Sequence, residues 1–157
     1  MNVYQFLQTH RSRLIQYLTI GFALLFASLS WAEQKITVGD YEVHYSAFNS
    51  SFLQPKVAES YGIQRSKYRG VVNITVLKKG ADGKTTPARA FIKGKVKNLI
   101  EQTNNLNFRP IIESDAIYHI AEFKISSEDT LTFNLDIQPD PNQPAFPLSF
   151  RQAVYPE

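Results

Sequence analysis

Four groups of side chains in this sequence are of types that carry chemistry. The first is the histidine pair His44 and His119, with Glu42 and Glu122 nearby in sequence. Imidazoles and carboxylates together are what a metal centre or an acid and base pair requires. A metal needs three or four converging ligands, however, and no local spacing such as His-x-His is present. With Tyr45 and Tyr118, the two histidines define one alternative function, a small-ligand site or an envelope enzyme assembled across adjacent strands. The second group is Glu113 and Asp115, carboxylates flanking a turn, where backbone hydrogen bonding by the Ser114 and Asp115 side chains is the simpler role.

The third group is cationic. Arg65, Lys67 and Arg69 alternate, so on extended backbone they point the same way, and Asn49, Ser50 and Tyr68 give them polar company. Three such cations can hold a carboxylate or phosphate, or pair with a partner's acids. The competing reading is a solvated approach to a strand, with one arginine paired to an internal acid such as Asp40 or Asp115. The fourth is the stripe Arg89, Lys93, Lys95 and Lys97 with Phe91, a face suited to anionic lipid headgroups or glycan. Lysines on a strand also guard against edge-to-edge aggregation, and that role competes here.

Much is excluded. The chain has no cysteine, which removes thiol catalysis, zinc-cysteine sites, iron-sulfur clusters and disulfides. There is no Gly-x-Ser-x-Gly elbow, no Gly-x-Gly-x-x-Gly fingerprint and no phosphate loop. No cofactor is expected, and a non-enzymatic role leads.

The elements that must position these groups are strands. Residues 68–77 are rich in β-branched side chains, and Val72, Ile74 and Val76 lie on one face with Asn73 and Thr75 opposite, which predicts a core strand. Tyr41, Val43, Tyr45 and Ala47 alternate with polar neighbours in a half-buried strand that Asn49, Ser50 and Ser51 break. Pro55 near the start and Gly62 just past the end bracket the one short helix. A hairpin loop at 80–84 carries Asp82-Gly83, and Pro110 confines its segment to a sheet edge. Residues 98–107 read as a turn. Residues 116–125 are apolar on both faces and predict a strand well inside a sheet. Leu131, Phe133, Leu135 and Ile137 give the cleanest alternation, and Phe146, Leu148, Phe150 and Val154 line a last strand. Seven or eight short strands and one short helix predict an all-β fold, an antiparallel β-sandwich, immunoglobulin-like in outline.

Residues 1–32 read as a signal peptide: Arg11 and Arg13, an uncharged apolar run over 14–29, then Ser30, Trp31 and Ala32. That run is shorter than the roughly 20 apolar residues a spanning helix needs. The mature chain then starts at Glu33, is periplasmic and does not span the membrane, and 33–157 suits a single domain. Without Arg11 and Arg13, 15 basic residues face 14 acidic ones, so nucleic acid is not an expected partner.

Three segments carry a family resemblance: Val-Gly-Asp-Tyr-Glu-Val-His-Tyr-Ser-Ala-Phe-Asn-Ser at 38–50, Arg-Ser-Lys-Tyr-Arg-Gly-Val-Val-Asn at 65–73, and Ser-Asp-Ala-Ile-Tyr at 114–118. They resemble domain-of-unknown-function family 4426, exported proteins found mainly in gammaproteobacteria. The resemblance implies a periplasmic β-sandwich and supplies no catalytic residue, ligand or partner. The expected function is therefore a non-enzymatic binding or interaction module of the cell envelope. Its expected partner is an envelope protein or an anionic envelope component, met through Asn49, Arg65, Lys67, Tyr68 and Arg69.

Overall fold

Alternating apolar residues make the strands, and pairing puts them in register. The computed structural model describes residues 34–156. The signal segment expected over 1–32 lies outside them, as does the expected start at Glu33. At the centre of the larger sheet is β3 (Arg69–Lys79), antiparallel to β2 (Tyr41–Asn49) on one side. On its other side it meets β8 (Ile117–Lys124) over its first half and β4 (Thr85–Ala88) over its second. β1 (Lys35–Val38) and β7 (Arg109–Ile112) are the outer strands, giving the order β1-β2-β3-β8-β7. The smaller sheet runs β10 (Phe146–Val154), β9 (Asp129–Gln138), β5 (Phe91–Lys97), β6 (Thr103–Leu106).

The antiparallel β-sandwich is as expected, but among the described residues it has ten strands rather than seven or eight. The extra ones are four-residue pieces. β6 reads Thr-Asn-Asn-Leu within the segment expected to be a turn, and it buries only Leu106. Cross-strand hydrogen bonding defines it, not hydrophobic period.

The two sheets close on one core. Val43, Val72, Ile74, Val76, Phe133 and Ile137 are almost fully buried between them. Phe133 is its middle, edge-on to Phe123 at 5.1 Å and stacked on Phe150 at 4.8 Å, offset geometries that ring quadrupoles favour.

A second, smaller core covers the outer face of the larger sheet. After β2, Ser50–Phe52 forms a 3-10 turn, and α1 (Pro55–Ser60) follows with Pro55 in its first turn. Gly62, at φ +61, lets the chain reverse. Ala58 and Ile63 thereby settle on Val71 and Ile120. This is why β8 is apolar on both faces: Ala121 and Phe123 face the main core, Ile120 this one. As Pro110 required, β7 is an edge strand.

Candidate functional site

The register separates the two histidines. His44 is opposite Thr75, which is opposite Tyr118; Tyr45 is opposite Ile74, which is opposite His119. Directly paired residues share a face and successive residues alternate. His44 and Tyr118 therefore lie on the outer face of the larger sheet, Tyr45 and His119 on its inner face. The four rings do not form one pocket, and the alternative site built from them is not assembled.

His119 is a core residue, 2% exposed. Its Nε2 accepts from the Ala90 backbone N–H at 3.0 Å, and its Nδ1 donates to the Ile74 carbonyl at 3.2 Å. Burial holds its pKa below the ordinary value, partly opposed by the bond to Ile74. A neutral imidazole wedged between two backbone groups ties β8 to the segment before β5. His44 bonds Glu42 at 2.6 Å, and Lys35 reaches the same carboxylate at 3.4 Å. The bond from His44, then the charge of Lys35, hold the Glu42 carboxyl below its usual range.

Of the carboxylates Glu113 and Asp115, the first has a structural partner. The Glu113 carboxylate accepts from the Tyr61 hydroxyl at 2.5 Å, joining the end of α1 to the turn before β8, and this bond pushes the Tyr61 pKa up to about 12.

The cationic segment divides. Arg69 pairs across the strand with Glu122 at 3.4 Å, so the internal acid partner is Glu122 rather than Asp40 or Asp115. Arg65 donates to the Ser51 carbonyl at 2.8 Å, and the Lys67 ammonium stands 5.1 Å from the centre of the Tyr68 ring. Asn49, at 5% exposure, is structural: its Nδ2 donates to the carbonyls of Lys67 and Tyr155 at 3.0 and 3.1 Å, and its Oδ1 accepts from Ser51 N–H at 2.9 Å. Ser50 adds bonds from its hydroxyl to the carbonyls of Gln64 and Ser66.

Those bonds strap three distant stretches of chain together at one end of the sandwich. They bring Phe52 (66% exposed), Tyr68 (52%) and Tyr155 (47%) to the neighbourhood of Arg65 and Lys67. Sequence reasoning missed Phe52 and Tyr155. Asn49, expected among the binding residues, is buried and gathers them from beneath.

On the opposite sheet, the outer face carries a concavity of about 920 Å³. Phe91, Lys93, Lys95 and Lys97 point outward from β5, since Ile92 and Val96 are buried. Edge protection does not explain Lys95 and Lys97, which sit between β9 and β6, whereas Phe91 and Lys93 pair with β9 alone and leave that stretch of β5 with one open side.

The class is thus a two-sheet antiparallel sandwich, with an aromatic and cationic end and an open basic face. A family model described as "Domain of unknown function (DUF4426)" matches residues 35–157, and the chain belongs to that family. A crystal structure of a DUF4426 family protein from Pseudomonas aeruginosa PAO1 is 39% identical, with 82% of this chain and 98% of that one covered and a TM-score of 0.69. FetP from uropathogenic Escherichia coli strain F11, expressed recombinantly in the periplasm of E. coli, shares the fold at 15% identity, a TM-score of 0.56 and coverage of 79% and 94%. A copper-bound single-residue variant of the same FetP does so at 14% identity, a TM-score of 0.54 and coverage of 78% and 95%. No curated protein matches the chain significantly. Among the described residues no helix is long and apolar enough to cross a membrane.

Proposed function

We propose that this chain is a non-enzymatic interaction module of the cell envelope, exported by residues 1–32 into the periplasm. Its recognition surface is the end of the sandwich where Arg65, Lys67 and Tyr68 meet Phe52 and Tyr155, and it takes an envelope protein with an acidic segment. The observation that carries this reading is the exposure of three aromatic rings beside two cations on a scaffold fixed by Asn49. Aromatic and arginine side chains are what interface centres are rich in. Arg69, paired with Glu122, flanks the surface, and Asn49 supports it from beneath.

The copper-bound FetP variant raises copper as a ligand. The donors do not fit: among the described residues no group of three or more His, Cys, Asp or Glu gathers. The chain has no cysteine, its one methionine is Met1, and its two described histidines are on opposite faces of a sheet.

The test is a photo-crosslinking amino acid at position 68 of the exported full chain in cells. One discrete protein adduct is expected, lost on Arg65→Ala and retained when Lys95→Gln is introduced instead. No adduct, or an adduct indifferent to Arg65→Ala, overturns the reading.

A further inference from the structure

The outer face of the β10-β9-β5-β6 sheet is a different surface, and its chemistry is more specific. Directly paired residues there form cross-strand rows. The middle row is Ser149, Asn134, Lys95 and Asn105, one residue from each strand. Beside it are Pro147, Asp136 and Lys93 on one side, and Arg151, Thr132, Lys97 and Thr103 on the other. The three lysines stand ~7 Å apart along β5, twice the rise per residue.

They differ in what already meets them. Lys97 is paired with Glu101 at 2.7 Å, and Lys93 lies 5.5 Å from the centre of the Phe91 ring. Lys95 has no carboxylate partner among the described residues, and the groups on either side of it are neutral amides. Ser149 donates to Asn134 Oδ1 at 2.9 Å, which leaves the Asn134 amide nitrogen to donate elsewhere. The middle row is thus one cation flanked by amides and a hydroxyl, within a concavity large enough for several sugar rings. Phe91, 61% exposed, projects from the same face of β5. An apolar ring of that kind takes the C–H face of a sugar, while amides and hydroxyls take its hydroxyl groups.

We propose that this face binds an anionic oligosaccharide, with a sugar carboxylate on Lys95, sugar hydroxyls on Asn105, Asn134 and Ser149, and one ring against Phe91. Charge complementarity favours the anionic glycan over a neutral one, and the amide row favours a glycan over a bare anion. A flat lipid surface suits it less, because Lys95 belongs to a concave interior strand rather than a projecting loop. The site is independent of the aromatic end of the sandwich, so either can fail alone.

The experiment is calorimetric and NMR titration of the purified residues 33–157, as the secreted chain, with tetragalacturonate, and with maltotetraose as the neutral counterpart. Tetragalacturonate should bind and shift the amides of 93–97, 105 and 134. Maltotetraose should bind at least tenfold more weakly, and the affinity for tetragalacturonate should drop tenfold or more in Lys95→Gln and in Asn134→Ala. Arg65→Ala should leave binding unchanged. Four results would overturn the proposal: no binding of tetragalacturonate, equal binding of maltotetraose, indifference to Lys95→Gln, or inorganic phosphate shifting the same amides as strongly. Anionic phosphatidylglycerol vesicles that bind in a Lys95-dependent way which tetragalacturonate does not compete would overturn it too, in favour of a membrane surface. Lys95 and Asn134 are exposed, so both variants should fold, and the far-ultraviolet spectrum checks that they do.

Discussion

Replacing Gly70 by alanine tests how the main core is held. Gly70 is paired with Asn49 on one side and Phe123 on the other. A Cβ built at Gly70 would lie 2.1 Å from Phe123 Cζ, with two further ring carbons at 2.4 and 2.7 Å. Carbon contacts are comfortable at about 3.5–4.0 Å, so the ring must retreat by roughly 1.5 Å. It has nowhere to go, since Phe123 abuts Phe133, Phe133 stacks on Phe150, and Phe150 meets Tyr45 at 4.7 Å. Overpacking of this kind costs about 1–3 kcal/mol, and occasionally more. Against it stands the roughly 0.5–1 kcal/mol that alanine gains over glycine in a strand. With a 2.1 Å approach to a ring that cannot retreat, the upper end of that cost applies, and the expected net destabilisation is about 2 kcal/mol, read as a lowered urea midpoint at unchanged slope. Circular dichroism is the signal to follow, because the one tryptophan, Trp31, precedes the described residues. Phe123→Leu should relieve the clash, so the double variant should be more stable than the two single costs added together, with a coupling of about 1 kcal/mol. A Gly70→Ala protein within about 0.5 kcal/mol of the parent, or a cost that Phe123→Leu leaves unaltered, would refute the reasoning.

Two further substitutions separate support from recognition. Asn49→Ala strips partners from two carbonyls and one N–H at a buried position, and each unsatisfied group costs about 1–3 kcal/mol, so a loss of about 3 kcal/mol or more is expected in the same urea assay; a change under about 1 kcal/mol would show that water replaces the amide. His119 is neutral when folded but takes a proton below about pH 6.5 when unfolded. The unfolded state then binds the extra proton, so stability is retained above that pH and falls as the pH drops toward the depressed folded value. The slope approaches about 1.4 kcal/mol per pH unit. His119→Gln should flatten that slope below about pH 6.5 in urea titrations, and an unchanged slope would assign the acid sensitivity elsewhere.

What could be read from the sequence was what one strand settles alone. The alternation of Leu131, Phe133, Leu135 and Ile137 fixes which face is inward without a partner, and Pro55 and Gly62 fix the helix by backbone chemistry. What could not be read depends on register. His44 and His119 were placed on strands correctly, but whether they meet depends on how β2 and β8 align on β3. Arg69 finds Glu122 by the same alignment, not through any nearness in sequence. Tyr155 is tied to the backbone of Lys67 through the Asn49 side chain, for which no local pattern exists.

The architecture also says where recognition has room. Of the four sheet faces, two are consumed by the main core, and a large part of a third is covered by the chain between β2 and β3, where Ala58 and Ile63 rest on Val71 and Ile120. The fourth, the outer face of the smaller sheet, is the open one, and its interior strand carries three lysines. Adjacent ammonium groups ~7 Å apart in water repel by only about 0.6 kcal/mol, so the fold tolerates them without a ligand. Tolerance does not require them, however: at Lys95 and Lys97 the strand is paired on both sides and has no edge to guard, and Ser149, Asn134 and Asn105 already make the face water-compatible. Glu101 neutralises one of the three charges and the Phe91 ring lies beside another. The middle one, Lys95, makes no ion pair among the described residues, with Asp136 set diagonally from it across β9, and for that reason Lys95→Gln is the substitution that distinguishes a solvated face from a site.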